Sequence, residues 1–158
     1  MKPWEVMQAR KAEAEKPKKA RKPRKKKAPT PTGSIAPGEE IRVIIEGCPV
    51  PKQRPRAGKG GRMYTPKKTR KYEKLVADMA RLAYAGDPVD HDVEVRMAIF
   101  WPDRRRRDLD NTVKSILDGF NGVIYVDDYF VQRLVVERYI DRERPRAEVV
   151  IVAVEVES

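Results

Sequence analysis

A run of basic residues and prolines restricts folding to the part of the chain that follows it. Residues 16–27 read Lys-Pro-Lys-Lys-Ala-Arg-Lys-Pro-Arg-Lys-Lys-Lys. Residues 1–34 contain twelve Lys and Arg against three Glu, a net charge of +9, whereas the remainder carries +2. Such a segment cannot bury enough apolar surface to offset the entropy lost on ordering. We therefore predict a disordered basic tail and linker over residues 1–38 and one folded domain over residues 39–158.

The basic tail has three possible roles. It could solubilise the protein, or it could bind phosphates non-specifically as an arm whose contribution falls with salt. A eukaryotic nuclear-localisation signal has a similar composition. We favour the phosphate-binding arm, because the folded part also carries features suited to nucleic acid.

Histidine and cysteine are too scarce for several classes of site. Cys48 is the only cysteine and His91 the only histidine, which excludes intrachain disulfides, cysteine-rich zinc sites and His-Glu-x-x-His sites. We expect His91 to be a surface loop residue. No apolar run approaches the ~18 residues of a membrane-spanning helix, and no signal-peptide core is visible. These features predict a soluble cytoplasmic protein with no membrane partner and no small-molecule cofactor.

Apolar periodicity divides the folded part into six main elements. Thr65 is predicted to cap the first helix, with Pro66 at its first position and Gly86 as its stop. The six predicted elements are a strand at 41–48, a helix at 65–86, a strand at 93–101, a helix at 108–120, and strands at 131–140 and 147–156. A loop at 50–64 is predicted between the first strand and the first helix. The order β-α-β-α-β-β predicts an α+β domain with a mixed sheet and both helices on one face.

Each predicted helix has a stripe of apolar residues that is expected to face the sheet. In the first helix the stripe consists of Tyr72, Leu75, Val76, Met79, Leu82 and Ala83. In the second helix it consists of Leu109, Val113, Ile116, Leu117 and Phe120, and Asn121-Gly122 follows as a stop signal.

The segment 102–114 combines charges of opposite sign. Four arginines, Arg104–Arg107, precede Asp108 and Asp110, and Lys114 follows one helical turn later. An ordinary structural interpretation makes Asp108 an N-cap, Asp110 a partner of the helix dipole, and Asp110–Lys114 an i, i+4 ion pair. The other interpretation is a site that attracts a polyanion and holds a divalent cation between its acids.

A second acidic pair favours the metal site. Asp127 and Asp128 follow a short apolar run that could bring the chain back beside the helix. Two carboxylates ~4 Å apart repel by about 1 kcal/mol in water and about 4 kcal/mol near a protein surface. Mg²⁺ would relieve that repulsion, because it prefers oxygen ligands and shares its shell with phosphate. Such an ion activates water for phosphodiester hydrolysis.

At this segment the chain resembles the RusA family of Holliday junction resolvases. The resemblance rests on Asp-Arg-Arg-Arg-Arg-Asp-Leu-Asp-Asn, on Lys114 in the following helix, and on Asp127-Asp128, and it extends over residues 40–156. It implies a homodimeric, Mg²⁺-dependent endonuclease, with Mn²⁺ as a substitute, that nicks four-way DNA junctions in recombination and repair. The implied catalytic and metal-binding acids are Asp108, Asp110 and Asp128, and the implied catalytic lysine is Lys114. Alignment of the acidic pair alone selects Asp128 over Asp127.

The chain also departs from the family prototype. Pro51-Lys52-Gln53-Arg54-Pro55-Arg56, with the later Tyr64-Thr65-Pro66, is similar to phage and prophage members, and the basic tail belongs to neither pattern. Tyr64 could stack on an unpaired base or pack on the protein body, and we favour packing. Besides Arg104, Arg105, Arg106 and Arg107, the residues predicted to contact DNA phosphates are Lys52, Arg54, Arg56, Lys59, Arg62, Lys67 and Lys68.

The combined prediction is a structure-selective endodeoxyribonuclease that resolves four-way junctions in a bacterial cytoplasm, on nucleoid-associated DNA. A homodimer is expected because resolution needs two matched cuts, which a twofold pair of sites supplies. Two alternatives remain open. One is a nuclease for forks, flaps or packaging intermediates, and the other is a non-catalytic DNA-binding protein that uses the tail and the arginines.

Overall fold

The structure is a computed structural model that describes residues 32–155. The predicted tail up to residue 31 and the last three residues lie outside that range. The elements, numbered in chain order, are β1 (Glu40–Glu46), β2 (Arg56–Ala57), β3 (Met63–Tyr64), α1 (Lys67–Ala83), β4 (Val93–Trp101), α2 (Leu109–Phe120), β5 (Val131–Ile140) and β6 (Arg146–Ala153). Short 3₁₀ turns occupy Lys59–Gly61 and Asp128–Phe130.

The main sheet has four strands in the order β1-β6-β4-β5. Strand β6 runs antiparallel to both β1 and β4, whereas β4 and β5 are parallel. The connection between the two parallel strands, residues 102–130, contains α2 and is called the crossover below. The predicted α+β domain with a mixed sheet is confirmed.

Alternation along the strands produces the core on one face of the sheet, which the helices cover. Every second residue of the three strands β1, β4 and β6 is buried there, namely Ile41, Val43, Ile45, Val93, Val95, Met97, Ile99, Ala147, Val149 and Ile151. Helix α2 adds Val113, Ile116, Leu117 and Phe120, as predicted, whereas Leu109 is only partly buried. The predicted arrangement of the core face is therefore confirmed for the sheet and for most of α2.

The predicted stripe of α1 was partly wrong. Tyr72 and Val76 are buried, but Leu82 is highly exposed and Leu75 is also exposed, while Thr69 and Ala80 take buried positions. The reason is the packing of α1 against α2 and β1, which buries one row of positions and leaves the neighbouring positions in solvent. The helix also starts one residue later than predicted, because Pro66 rather than Thr65 is its N-cap residue.

The two helices approach each other most closely at Gly119. A β-carbon at this position would lie 2.6 Å from Val76 Cγ1 and 3.0 Å from the Glu73 carbonyl oxygen. Any larger residue would force the helices apart. Gly119 thus fixes the spacing between α1 and the helix that carries the acidic segment.

The described end of the predicted linker contacts the domain. The Gly33 N–H donates to the Pro88 carbonyl oxygen at 2.9 Å, and Ile35 is buried in the core. The Ile35 N–H donates to His91 Nε2 at 3.1 Å, so this histidine, expected on a surface loop, is partly buried and anchors the incoming chain.

The predicted loop at 50–64 contains a small hairpin. Strands β2 and β3 pair Arg56 with Tyr64 and Ala57 with Met63. Two residues per strand are too few to produce a visible alternation, so sequence periodicity could not reveal it. No helix within residues 32–155 is long and apolar enough to cross a membrane.

Candidate active site

Asp108 caps the helix that carries most of the charged segment. Its Oδ1 accepts a hydrogen bond from the Asn111 backbone N–H at 3.5 Å, and its Oδ2 accepts one from Asn111 Nδ2 at 2.6 Å. The Thr112 hydroxyl donates to the Asp108 carbonyl oxygen at 2.9 Å. Asp108 is therefore the N-cap that the structural interpretation predicted, and its side chain remains exposed.

Asp110 stands in the first turn beside Asp108, and the two carboxyl groups interact. Contact with the Asp108 carboxylate raises the pKa of Asp110, first through a hydrogen bond between the side chains and then through charge repulsion. The same hydrogen bond, supported by Asn111, lowers the pKa of Asp108. Two adjacent acids that resist simultaneous ionisation form a pair that a cation would stabilise.

Lys114 does not pair with Asp110, so the i, i+4 ion pair of the structural interpretation is wrong. Its Nζ lies 2.7 Å from Asp128 Oδ2 and 3.0 Å from Asp118 Oδ1. Both carboxylates raise the pKa of Lys114, and Lys114 in turn lowers the pKa of Asp128. The Lys114 side chain points toward the C-terminal end of α2, where Asp118, one turn along the helix, and Asp128, beyond it, provide its partners.

The structure distinguishes the two acids of the Asp127-Asp128 pair. Asp127 Oδ1 accepts a hydrogen bond from the Tyr129 N–H at 2.8 Å and caps the short 3₁₀ turn. Asp128 faces Lys114 instead. The Asp128 carboxylate therefore lies on the side of α2 that carries Lys114, and its role as a metal ligand stays a prediction.

The four arginines of the loop between β4 and α2, Arg104–Arg107, differ in their surroundings. Arg107 forms two hydrogen bonds to the Asp103 carboxylate, at 2.6 and 3.2 Å, and lies over the Trp101 ring with only 17% of its side chain exposed. This pairing, with the Arg105 N–H, lowers the pKa of Asp103 to about 2. Arg104, Arg105 and Arg106 are exposed.

The second basic group lies on the hairpin and at the start of α1. Six of its residues are exposed, namely Arg54, Arg56, Lys59, Arg62, Lys67 and Lys68. Lys52 differs, because it forms ion pairs with Asp118 and Glu73 and its side chain is 29% exposed. Nothing in the local sequence predicts the contact between Lys52 and Asp118, since 66 positions separate them.

Tyr64 lies on the hairpin with 47% of its surface exposed, whereas we expected it to pack on the protein body.

The acids fit a metal ion in their chemistry but are not gathered around one point. Asp108 and Asp110 offer adjacent oxygen donors, and Asp128 offers a third from the end of the crossover. Within residues 32–155 no three acidic, histidine or cysteine side chains lie close enough together to hold a metal ion. Asp128 is turned toward Lys114, which donates a hydrogen bond to its carboxylate.

Comparisons with known proteins indicate a family of nucleases. A sequence model of a family described as "Endodeoxyribonuclease RusA" matches residues 46–152. A protein of Aquifex aeolicus (strain VF5), the "Crossover junction endodeoxyribonuclease RusA", is 34% identical over 100 residues. That similarity covers 60% of this chain and 77% of the relative. The matched region contains every acid and lysine of the candidate site.

Proposed function

Since this chain belongs to the RusA family of endodeoxyribonucleases, whose members are metal-dependent, we propose that Asp108, Asp110, Asp128 and Lys114 form its cutting site. The chain is a crossover junction endodeoxyribonuclease, an enzyme that resolves Holliday junctions. One observation carries the residue assignment: the ion pair between Lys114 and Asp128 joins the end of the crossover to the helix that begins at the neighbouring acids Asp108 and Asp110.

The proposed reaction is in-line attack of water on a phosphodiester. Asp108, Asp110 and Asp128 would hold the metal ion, for which we propose Mg²⁺, with Mn²⁺ able to replace it. The bound ion would supply an activated water and stabilise the charge on the phosphate. Lys114 donates hydrogen bonds to a phosphate oxygen and stabilises the negative charge that grows there during attack. Asp110 would contribute a carboxylate whose pKa is raised by the neighbouring Asp108, and a bound cation would offset the repulsion between the two negative charges.

DNA binding is proposed to use the two exposed basic groups. Arg104, Arg105 and Arg106 lie directly before the acids and would hold phosphates beside the cut. The exposed residues of the hairpin would hold a second stretch of backbone, which suits recognition of junction shape more than base sequence. Arg107 and Lys52 already have carboxylate partners, so we propose weaker DNA contact from these two side chains.

We also propose a homodimer formed along β5. Within the described residues, β5 pairs only with β4 and leaves its other edge open. Its exposed apolar side chains are Leu134, Val135, Tyr139 and Ile140. An exposed apolar edge strand favours pairing with another strand, and antiparallel pairing with a second copy gives the twofold symmetry that two matched cuts require.

The direct test compares labelled four-way, forked and linear DNA, with Mg²⁺ or with EDTA. We expect Mg²⁺-dependent cutting of the four-way junction and much less cutting of the other substrates. Faster cutting of forks would favour a fork nuclease, and absence of Mg²⁺-dependent cutting in every branched substrate would contradict the proposal.

Asp110→Asn tests the assignment of the acids. We expect the cutting rate to fall at least ~100-fold, because a preorganised charge near the reacting phosphate is lost. Junction affinity, measured in EDTA, should change little. Asp78→Asn is the matched control, since Asp78 is a surface acid of α1 that pairs only with Lys74 and Arg81 among the described residues. If Asp110→Asn and wild type cut at the same rate, Asp110 is not part of the cutting site.

A further inference from the structure

Beside the proposed site lies a row of five alternating charges. Glu73, Lys52, Asp118, Lys114 and Asp128 follow one another in space, although they come from α1, from the segment after β1, from α2 and from the end of the crossover. Lys52 Nζ lies 3.5 Å from Glu73 Oε1 and also contacts Asp118. The middle member of the row is Asp118.

The two oxygens of Asp118 serve different lysines. Oδ1 lies 3.0 Å from Lys114 Nζ, and Oδ2 accepts a hydrogen bond from Lys52 Nζ. The Asp118 side chain is only 15% exposed, whereas that of Lys114 is 49% exposed. A shielded acid thus holds the amino group of a half-exposed lysine.

The partner lysine is fixed by its backbone as well as by its amino group. The Lys52 N–H donates to the Asn111 carbonyl oxygen at 2.9 Å, and the Ser115 hydroxyl donates to the Val50 carbonyl oxygen at 2.7 Å. The next residue, Gln53, donates its N–H to Thr69 Oγ1 of α1 at 3.1 Å. Lys52 is therefore a rigid anchor between the two helices and a fixed partner for Asp118.

We propose that Asp118 is a positioning residue of the nuclease reaction, which holds Lys114 through one carboxylate oxygen while Lys52 holds the other. This inference rests on the proposed role of Lys114. A free lysine side chain samples many rotamers, and two acceptors on different elements restrict them. Once the Asp128 carboxylate turns to the metal ion, Asp118 is the acceptor that remains to keep Lys114 within reach of the phosphate.

The first experiment measures Lys114 itself, without DNA or metal. Purified wild type and Asp118→Asn are labelled briefly with an amine-reactive ester in EDTA, and the modification of each lysine is quantified by mass spectrometry. A lysine released from a carboxylate reacts faster, so we expect Lys114 and Lys52 to be modified several-fold faster in the variant. Lys74, whose side chain is highly exposed, is the internal control and should not change.

The second experiment separates positioning from stability and from binding. Single-turnover cutting by Asp118→Asn should be about 10- to 100-fold slower, because small misplacements of a catalytic group have effects of this size. Junction affinity in EDTA should stay within about threefold of wild type, and Asp78→Asn should match wild type in both measurements. If Asp118→Asn does not fold, Asp118→Glu replaces it, and the same outcomes are expected with a smaller loss of rate.

Two results would overturn the proposal: an unchanged labelling rate of Lys114, or a wild-type cutting rate per folded molecule. Lys114→Met tests separately the proposed role of Lys114 in the reaction, on which the role of Asp118 depends. If that variant cuts like wild type, Lys114 is not part of the reaction, whereas the labelling comparison still reports whether Asp118 holds it.

Discussion

Consecutive residues of the same type perform different tasks in the arginine run. Arg107 is held by Asp103 and packs over Trp101, so it fixes the bend that leads from β4 to Asp108. Arg104, Arg105 and Arg106 are exposed to solvent, and among them Arg105 also lies 3.7 Å from Asp103 Oδ2. The charge pattern alone could not separate these roles, because the distinction depends on which side chain the bend turns toward Asp103.

The Asp103–Arg107 pair predicts a specific pH dependence. Arg107 lowers the pKa of Asp103 from its ordinary 3.8 to about 2, so the pair stabilises the folded state above pH ~4 and loses this effect as the pH falls through about 2. Asp103→Asn should therefore be less stable than wild type at neutral pH, by a difference that shrinks between pH 4 and 2. Urea unfolding at several pH values measures this difference. A difference that is constant with pH would contradict the assigned ion pair.

At the level of the elements, the sequence predicted strands correctly where apolar and polar residues alternate strictly. Strand β4 was predicted with its observed bounds, since every second residue from Val93 to Trp101 is buried. The stripe of α1 was less accurate, because an apolar residue such as Leu82 satisfies the helical period without meeting a partner. Helical periodicity identifies a face, but the neighbouring helix decides which positions on that face are buried.

The acids of the site were predictable because they lie within one segment and a nearby pair, and their spacing resembles a known family. The contact between Asp118 and Lys52 was not predictable, because only the tertiary fold brings these residues together, whereas Lys114 and Asp118 are an i, i+4 pair of one helix. The structural interpretation paired Lys114 with Asp110, and that pairing is wrong. Spacing along α2 offered Asp110 as the partner, whereas the returning chain supplies Asp128.

The close contact between α1 and α2 at Gly119 predicts how a substitution there changes the free energy of unfolding. Replacing a helical glycine by alanine ordinarily stabilises by about 1 kcal/mol. At Gly119 the new methyl group would lie 2.6 Å from Val76 Cγ1, so we expect a net loss of about 1–3 kcal/mol in the free energy of unfolding. Gly58→Ala is the control, because its methyl group would meet its nearest neighbours at 3.4 Å. Urea denaturation of both variants measures the effect, and a stabilised Gly119→Ala would show that the helices can separate without penalty.

At the scale of the whole molecule, the open edge of β5 predicts the state of assembly. Leu134→Lys with Ile140→Lys should convert a dimer to a monomer, because both side chains would place charge in an apolar contact. Light scattering after size-exclusion chromatography measures the mass, and a plasmid-borne cruciform distinguishes paired cuts from single nicks. Leu82→Lys is the matched control, since Leu82 is an exposed leucine on α1. Variants that remain dimeric would place the interface elsewhere.

The tail is best tested by a deletion that stops before the contacts of Gly33 and Ile35. Removing residues 2–31 takes away twelve basic side chains but retains both contacts, so the melting temperature should not change. Junction affinity should fall at low salt, and its dependence on salt should become less steep. A full-length variant with Gln in place of every Lys and Arg of residues 16–27 controls for length. An unchanged salt dependence in both proteins would leave the tail without a role in binding.

The parallel pairing of β4 and β5 has a consequence for the order of folding. The two strands are joined by residues 102–130, and this crossover carries all four proposed catalytic residues. Parallel pairing over such a separation is a non-local contact that forms slowly, after local helices and turns. Asp128 reaches Lys114 only when the crossover has closed, so we expect the proposed cutting site to be completed late in folding, after α2 has formed.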